Sequence, residues 1–230
     1  MARTHFHEEL ERLELELLGM GELAERAIRR GVEALVQHDS ELADEVIAGD
    51  DEVDAQYLSI ESRTLQILAL QTPVATDLRL LSVILHSNLH LERIADQAVN
   101  VAKMYRSVED LPTNPAILEH IREMGDVVRP MIRTAMDAFA RRDLDLCLRL
   151  PLMDDPVDRL NLGMYREVAA LADDPPLLNW GLRMLLVARQ LERVGDNSVD
   201  IGEQVGFLLT GEFREFTDAS HPVEIAPDAG

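Results

Sequence analysis

The chain has 230 residues, of which 47% are hydrophobic and 4% are aromatic, and its formal net charge is −21. A surface of this charge repels nucleic acid and anionic lipid headgroups, which disfavours a nucleic-acid partner. The single cysteine, Cys147, excludes an intrachain disulfide and a cysteine-based zinc site. Because the sequence lacks an apolar signal core and a long apolar run, we expect a cytoplasmic protein with no direct membrane insertion.

Six helices are predicted from hydrophobic periodicity and from the Pro, Gly, Asn and Asp residues that interrupt it. In chain order they span 5–37, 40–70, 74–106, 115–141, 143–172 and 176–210. Pro130, Pro151 and Pro156 fall inside the predicted helices of the second half, where they indicate either kinks or a displaced boundary. Long helices with short connections are typical of an antiparallel all-α bundle.

The two halves of the chain repeat one another. Residues 38–42 match 142–146, and residues 50–54 match 154–158, both at an offset of 104. By the third helix the offset has fallen to 100, so the first copy carries four extra residues, most simply in the turn near Pro73. We therefore predict two tandem, pseudo-symmetric three-helix bundles over 5–110 and 111–212, followed by a disordered acidic tail over 213–230.

The clearest repeated motif is a stripe of oxygen-bearing side chains on the third helix of each half. Residues 91–96 read Leu-Glu-Arg-Ile-Ala-Asp and residues 191–196 read Leu-Glu-Arg-Val-Gly-Asp. Residues four apart lie on one face of a helix. The spacing therefore places three side chains in register in each copy: Glu92, Asp96 and Asn100 in the first, and Glu192, Asp196 and Asp200 in the second.

These stripes continue rows of leucine rather than lying opposite them. On a helical projection Leu78, Leu85 and Leu89 fall within about 60° of Glu92. Carboxylates that border an apolar sector are costly unless they are paired, protonated or bound to metal. We therefore interpret both stripes as cation sites for Mg²⁺, Mn²⁺, Ca²⁺ or iron that also tolerate Zn²⁺, against the alternative of a salt-bridged helix face.

Other polar residues point less clearly to a site. His86 and His90 have a spacing that can hold zinc, but they lie off the acidic stripe and have no counterpart in the second copy. The aspartates around 50–54 and 154–158 are interpreted as solvated faces that could add a second layer of carboxylates. Cys147, among leucines, is expected to be a buried apolar residue. No nucleophile and base are spaced for catalysis, which argues against an enzyme.

Taken together, the duplicated three-helix unit and its Leu-Glu-Arg-(Ile/Val)-(Ala/Gly)-Asp motifs closely resemble the PhoU family of bacterial phosphate regulators. Residues 19–23 and 70–79 also resemble that family, and the likeness covers residues 5–210. It implies two bundles related by pseudo-symmetry, with iron or zinc clusters at the acidic motifs. Asn100 departs from the strictest form of the motif.

The resemblance also implies a function. Family members act without catalysis and often as homodimers. They link a phosphate-specific ABC transporter to a PhoR-type sensor histidine kinase, and they repress phosphate uptake and the phosphate regulon when phosphate is plentiful. Two alternatives stay open from the residues themselves: a helical adaptor of the same fold that binds no metal, and a metal-storage bundle, which the missing Glu-x-x-His motif disfavours.

Overall fold

The structure, a computed structural model, describes the backbone of residues 2–216 and the side chains of residues 5–216. Over that range the chain forms α-helices and no β-strand, which confirms the all-α fold class. The helices are α1 (Ala2–Gln37), α2 (Ser40–Ala48), α3 (Asp50–Gln71), α4 (Ala75–Arg106), α5 (Pro115–Arg141), α6 (Leu144–Ala169) and α7 (Pro175–Thr210).

The second predicted helix, 40–70, is divided at Gly49 into α2 and α3. Gly49 donates its N–H to the carbonyl of Glu45 at 2.9 Å and ends α2, while Asp50 opens α3. Glycine is a poor helix former, and acidic residues such as Asp50 and Asp51 suit the first turn of a new helix. The predicted six-helix arrangement therefore holds, with one helix in two segments.

The prolines of the second half do not break their helices. Pro130 lies inside α5, and Pro151 and Pro156 lie inside α6, which runs without interruption past the position equivalent to Gly49. The alternative of a boundary displaced to one of these prolines was therefore wrong. The α6 helix does end earlier than predicted, at Ala169 rather than at 172.

Equivalent caps start equivalent helices in the two halves. The Asp39 carboxylate accepts a hydrogen bond from the backbone N–H of Leu42 at 2.9 Å, and Asp143 accepts one from Leu146 at 3.2 Å. Such side chains satisfy amides that have no partner within the helix. The duplication thus preserves the signals that position the helices as well as the acidic motifs.

The two bundles pack through equivalent helices. Helices α1–α4 form one bundle and α5–α7 the other, with α4 against α7 and α1 against α5. An ion pair between Arg129 and Glu25, at 2.9 Å, joins α5 to α1. Many large apolar side chains of the core are fully buried, including Leu13, Leu17, Ile28, Leu81, Ile84, Leu91, Ile94, Ile117 and Phe139.

The last described residues fold back onto α7. The backbone N–H of Phe216 donates to the Glu203 carboxylate at 2.6 Å. The rest of the predicted disordered tail, 217–230, lies outside the described residues. The division into units 5–110 and 111–212 stays a prediction.

Candidate metal centres

The second acidic stripe faces two further aspartates across a groove between helices. Asp196 and Glu192 of α7 lie close enough to Asp154 and Asp158 of α6 for their charges to affect one another. Asp154 and Glu192 are only 7% and 8% exposed. We call this group, with Asp200, the second cluster.

Two buried carboxylate oxygens of the second cluster lack a hydrogen-bond partner. They are Oδ1 of Asp154 and Oε2 of Glu192. The other oxygen of Glu192, Oε1, pairs with the Arg189 guanidinium, so one positive charge partly compensates the cluster. Unpaired buried carboxylate oxygens are costly, and a bound cation would satisfy them.

The pKa values of the second cluster also favour a bound cation. Burial, followed by the charges of Asp158 and Asp196, raises the pKa of Asp154 to about 7. Burial and the Asp196 charge raise the pKa of Glu192 as well. The carboxylates therefore resist ionising together, and a cation would relieve that repulsion.

A glycine allows Asp154 to lie so deep. Gly195 of α7 packs directly against the Asp154 carboxylate, and a Cβ at this position would overlap with Oδ1. The first copy has Ala95 at the equivalent position. The single methyl group that Ala95 adds occupies the space that a deeply inserted carboxylate needs.

The first cluster has the same members in a shallower setting. Asp50 of α3 and Glu92 of α4 are half-buried, whereas their counterparts Asp154 and Glu192 are buried. Asp54 and Asp96 are exposed, as are Asp158 and Asp196. Burial, then Asp96 and Asp54, raise the pKa of Glu92, and burial, then Asp54 and Asp96, raise that of Asp50. Asn100, half-buried at the end of the stripe, completes the first cluster.

The structure corrects the interpretation of the aspartates around 50–54 and 154–158 as solvated faces for two of them, Asp50 and Asp154. Asp154 is buried and Asp50 is half-buried. Asp54 and Asp158 are exposed, but they lie close enough to the stripes for their charges to raise the pKa of Glu92 and of Glu192. Asp51 and Asp155 are exposed as well, and their charges act on the neighbouring Asp50 and Asp154. The repeat itself was the available signal, because these acids recur at the same offset as the helix caps.

The leucines beside the first stripe are less buried than the helical projection suggested. Leu78 is exposed, while Leu85 and Leu89 are only partly buried. The fully buried sector of α4 lies beside them and contains Leu91, Ala95, Ala98 and Ala102. The stripes therefore run along the border of the core, where carboxylates meet both protein and solvent.

The two histidines do not share a site. Nδ1 of His86, an exposed residue, lies 2.8 Å from the carbonyl oxygen of Ser82 in its own helix. Nδ1 of His90 instead reaches α7, 2.9 Å from Oδ1 of Asn197 and 3.4 Å from Oδ2 of Asp200. Sequence reasoning missed this contact because it depends on how α4 packs against α7.

Cys147 is buried, as predicted, and is separate from both clusters. Its thiol donates to the carbonyl of Asp143 at 3.3 Å. Burial raises the pKa of the Cys147 thiol to about 12. A thiol in this state is neither a nucleophile nor a metal ligand at neutral pH.

The oxygen donors of both clusters suit a hard cation, although their side chains do not converge on one point. Among residues 5–216, no three His, Cys, Asp or Glu side chains stand close enough together to hold an ion. Five oxygen-bearing residues nevertheless line each groove, and two buried oxygens of the second cluster have no partner. Oxygen donors of this kind fit Mg²⁺, Mn²⁺, Ca²⁺ or iron.

Together, the duplicated bundle and its paired acidic grooves define a class of all-α protein with two equivalent clusters of acidic side chains. The PhoU domain family matches residues 17–104 and 121–205. The chain therefore belongs to the PhoU family. In residues 2–216, no helix is long and apolar enough to cross a membrane.

Known members of the family resemble the chain over nearly its whole length. A phosphate-specific transport system accessory protein PhoU homolog of Pseudomonas putida is 36% identical over 217 residues, covering 94% of this chain and 83% of that protein. A homolog with the same description from Clostridium acetobutylicum is 33% identical over 220 residues, covering 95% of this chain and 100% of its own.

Two crystal structures share the fold. PhoU from Pseudomonas aeruginosa superposes with a TM-score of 0.86 at 36% identity, covering 90% of this chain and 100% of that one. The phosphate transport system regulatory protein PhoU from Streptococcus pneumoniae superposes with a TM-score of 0.83 at 27% identity, covering 91% and 99%. These likenesses confirm the resemblance found in the sequence and the predicted pair of bundles.

Proposed function

We propose that this protein is a cytoplasmic, non-enzymatic negative regulator of phosphate uptake and of the phosphate regulon. In this role it links a phosphate-specific ABC transporter to a PhoR-type sensor histidine kinase, and it acts as a homodimer. The relatives described as accessory or regulatory proteins of phosphate transport support this proposal. A role for metal in this function is supported by the pair of acidic grooves at equivalent positions of the two repeats.

Each groove would hold its cation with side chains from two helices. In the first repeat these are Asp50 and Asp54 of α3 with Glu92, Asp96 and Asn100 of α4. In the second they are Asp154 and Asp158 of α6 with Glu192, Asp196 and Asp200 of α7. A bound cation would supply positive charge that neutralises the carboxylates and ties the two helices together.

Partner binding would use the exposed faces beside the second groove. Leu162 and Tyr165 of α6 and Leu182 and Leu186 of α7 are large and exposed. Leu162 and Tyr165 fall on the same face of α6 as Asp158. In the first repeat the exposed Leu58 matches Leu162, but Glu61, Ser82 and His86 stand where Tyr165, Leu182 and Leu186 stand in the second. Exposed apolar side chains in one region are typical of protein contacts, so the second repeat is the better candidate for docking a partner.

The experiment that tests the metal-dependent function is elemental analysis of the untagged protein beside Glu192→Ala/Asp196→Ala. We expect stoichiometric iron, zinc or manganese in the parent, a clear loss in the variant, and a derepressed phosphate regulon in cells that carry the variant. The matched control is Asp51→Ala/Asp155→Ala, which removes two acids outside the grooves. If the Glu192/Asp196 variant still bound both partners and repressed the regulon, metal would have no role in signalling.

A metal-free helical adaptor is the second candidate, and a specific observation favours it. Arg189 already pairs with Glu192, and the side chains of the grooves do not converge on a common point. In that case partner binding depends on surface contacts alone. Leu182→Ser/Leu186→Ser would then abolish binding of transporter or kinase, whereas the same protein without metal would bind both normally.

A metal-storage bundle is a weaker third possibility. It requires oxidation of ferrous iron, so dioxygen consumption on adding Fe²⁺ would support it. We expect none, because the sequence lacks the Glu-x-x-His motif that di-iron bundles use.

A further inference from the structure

The outer face of α6 carries a row of exposed leucine and charged side chains. Residues three or four apart lie on one face of a helix. The buried residues of α6, among them Leu150, Val157 and Met164, lie on the face toward the bundle. The opposite face, which we call the α6 seam, holds Leu148, Leu152, Asp155, Arg159, Leu162 and Arg166, and all of them are exposed.

Two leucines of the α6 seam have little contact with the rest of the chain. Leu152 is 70% exposed and Leu162 is 68% exposed. Large apolar side chains in a row along a helix are typical of a contact surface, because packing against a partner removes them from water. In the first repeat, at the offset of 104, Ala48 stands in place of Leu152 and Ala55 in place of Arg159. The complete seam is therefore a feature of the second repeat.

The α6 seam is complementary to itself when the helix is turned end for end about Val157. Asp155 and Arg159 lie at equal distances along the chain on either side of Val157, and so do Leu152 and Leu162. Two antiparallel copies of α6 related by a two-fold axis at this residue would place Asp155 beside Arg159 of the partner subunit, and Leu152 beside Leu162 of the partner subunit. Each contact occurs twice, as a two-fold axis requires.

Asp155 and Arg159 take part in no ion pair within the described residues. The one ion pair of α6 in that part of the chain joins Glu167 to His120 of α5, at 2.8 Å. A uniformly acidic or uniformly basic partner would attract one of the two free charges and repel the other. A second copy of α6, turned end for end, presents the opposite charge to both of them.

We propose that the α6 seam is the contact between two copies of this chain, which pack their α6 helices antiparallel about a two-fold axis near Val157. This inference rests on the homodimeric form of the proposed function and identifies its interface. Leu162 is then covered by the second copy. Leu182 and Leu186 of α7 lie outside the seam, so they stay available to a different partner.

The test reverses one charge at a time in the full chain and measures dimer dissociation by sedimentation equilibrium. Asp155→Arg and Arg159→Asp each set like charges against one another at both ends of the contact. We expect each to raise the Kd of the dimer by at least about tenfold. Asp155→Arg/Arg159→Asp should restore it. The matched control is Asp51→Arg, at the equivalent exposed position of the first repeat, which should leave the Kd unchanged.

A mixture of the two single variants gives the sharpest result. In a pair made of one Asp155→Arg chain and one Arg159→Asp chain, every charge of the contact faces an opposite charge. The mixture should therefore form a heterodimer at concentrations where neither variant dimerises alone. Contact through another face predicts no such recovery. A heterodimer also shows that both variants are folded.

A third variant makes the test independent of the charges. Leu152→Ser removes an exposed side chain from the middle of the apolar contact and should raise the Kd of the dimer by at least about tenfold. If the parent were a dimer whose Kd none of these variants changed, this inference alone would be overturned. A monomeric parent would overturn it and also the homodimeric form of the proposed function. The regulon assay with Glu192→Ala/Asp196→Ala tests the rest of that function separately.

Discussion

The two repeats have the same backbone plan but place their acidic residues at different depths. Asp154 is 7% exposed in the second repeat, whereas its counterpart Asp50 is only half-buried. The cause lies on the facing helix, where Gly195 leaves room for the carboxylate and Ala95 does not. One methyl group on a neighbouring helix thus decides how strongly a repeated acid is desolvated.

The positive charges around the clusters differ as well. In the first repeat Lys103 lowers the pKa of Asp50 and of Asp96, against the stronger effect of burial. The equivalent residue of the second repeat is Glu203, which has the opposite charge. There Arg189 pairs with Glu192 instead. Duplication has kept the carboxylates and changed their counter-charges, so the two clusters should differ in affinity.

The largest expected effect is on cation affinity, and it distinguishes the buried Asp154 from the half-buried Asp50. Asp154→Ala should reduce cation affinity at the second cluster by more than about tenfold, because it removes a buried, unpaired donor. Asp50→Ala should reduce affinity at the first cluster by less, since water partly replaces a carboxylate that is only half-buried. Stepwise binding constants from calorimetry measure both, and equal losses would show that burial has no influence on affinity.

The pH dependence of stability offers a second way to sharpen the comparison. With chelator present, Asp154 costs the folded state stability as pH rises from about 4 to about 7, because the unfolded side chain ionises near 3.8 while the folded pKa is about 7. Asp154→Asn should therefore raise the melting temperature, and the gain should grow over that interval. Each kcal/mol recovered corresponds to about 2–4 °C for a chain of this size.

Two controls accompany this measurement. Asp50→Asn should show a smaller gain over the same interval, because Asp50 is less buried. Gly195→Ala should flatten the pH profile of the parent by displacing the Asp154 carboxylate toward solvent. A gain from Asp154→Asn that is the same at pH 4 and pH 8 would contradict the proposed cause.

The smallest expected effect concerns Asn100, the one stripe residue whose charge differs from that of its counterpart, Asp200. Asn100→Asp makes the first stripe match the second and adds a carboxylate at a half-buried position. Because a single charge near the surface is worth about 0.2–1 kcal/mol, we expect cation affinity at the first cluster to rise by up to about fivefold. Unchanged affinity in calorimetry would show that Asn100 lies outside the ligand set.

The sequence was most informative where the relevant residues lie on one helix or recur at one offset. Glu192, Asp196 and Asp200 share a face because of helical periodicity alone. The break at Gly49 was missed because a glycine in a helical pattern either continues or interrupts the helix, and the choice depends on tertiary packing. The contacts of Gly195 with Asp154 and of His90 with Asp200 were missed because they join different helices.

Lys103 is the only lysine in the chain, and it is exposed beside the first cluster. Amine-reactive dyes and cross-linkers therefore have one side-chain target, without any mutation. A fluorophore attached there would report on the first repeat, and a cross-linker would identify whatever lies within its reach in a living cell. The arginine-rich composition thus provides a single lysine, beside the α-amino group, for attaching a label that follows this protein and its partners.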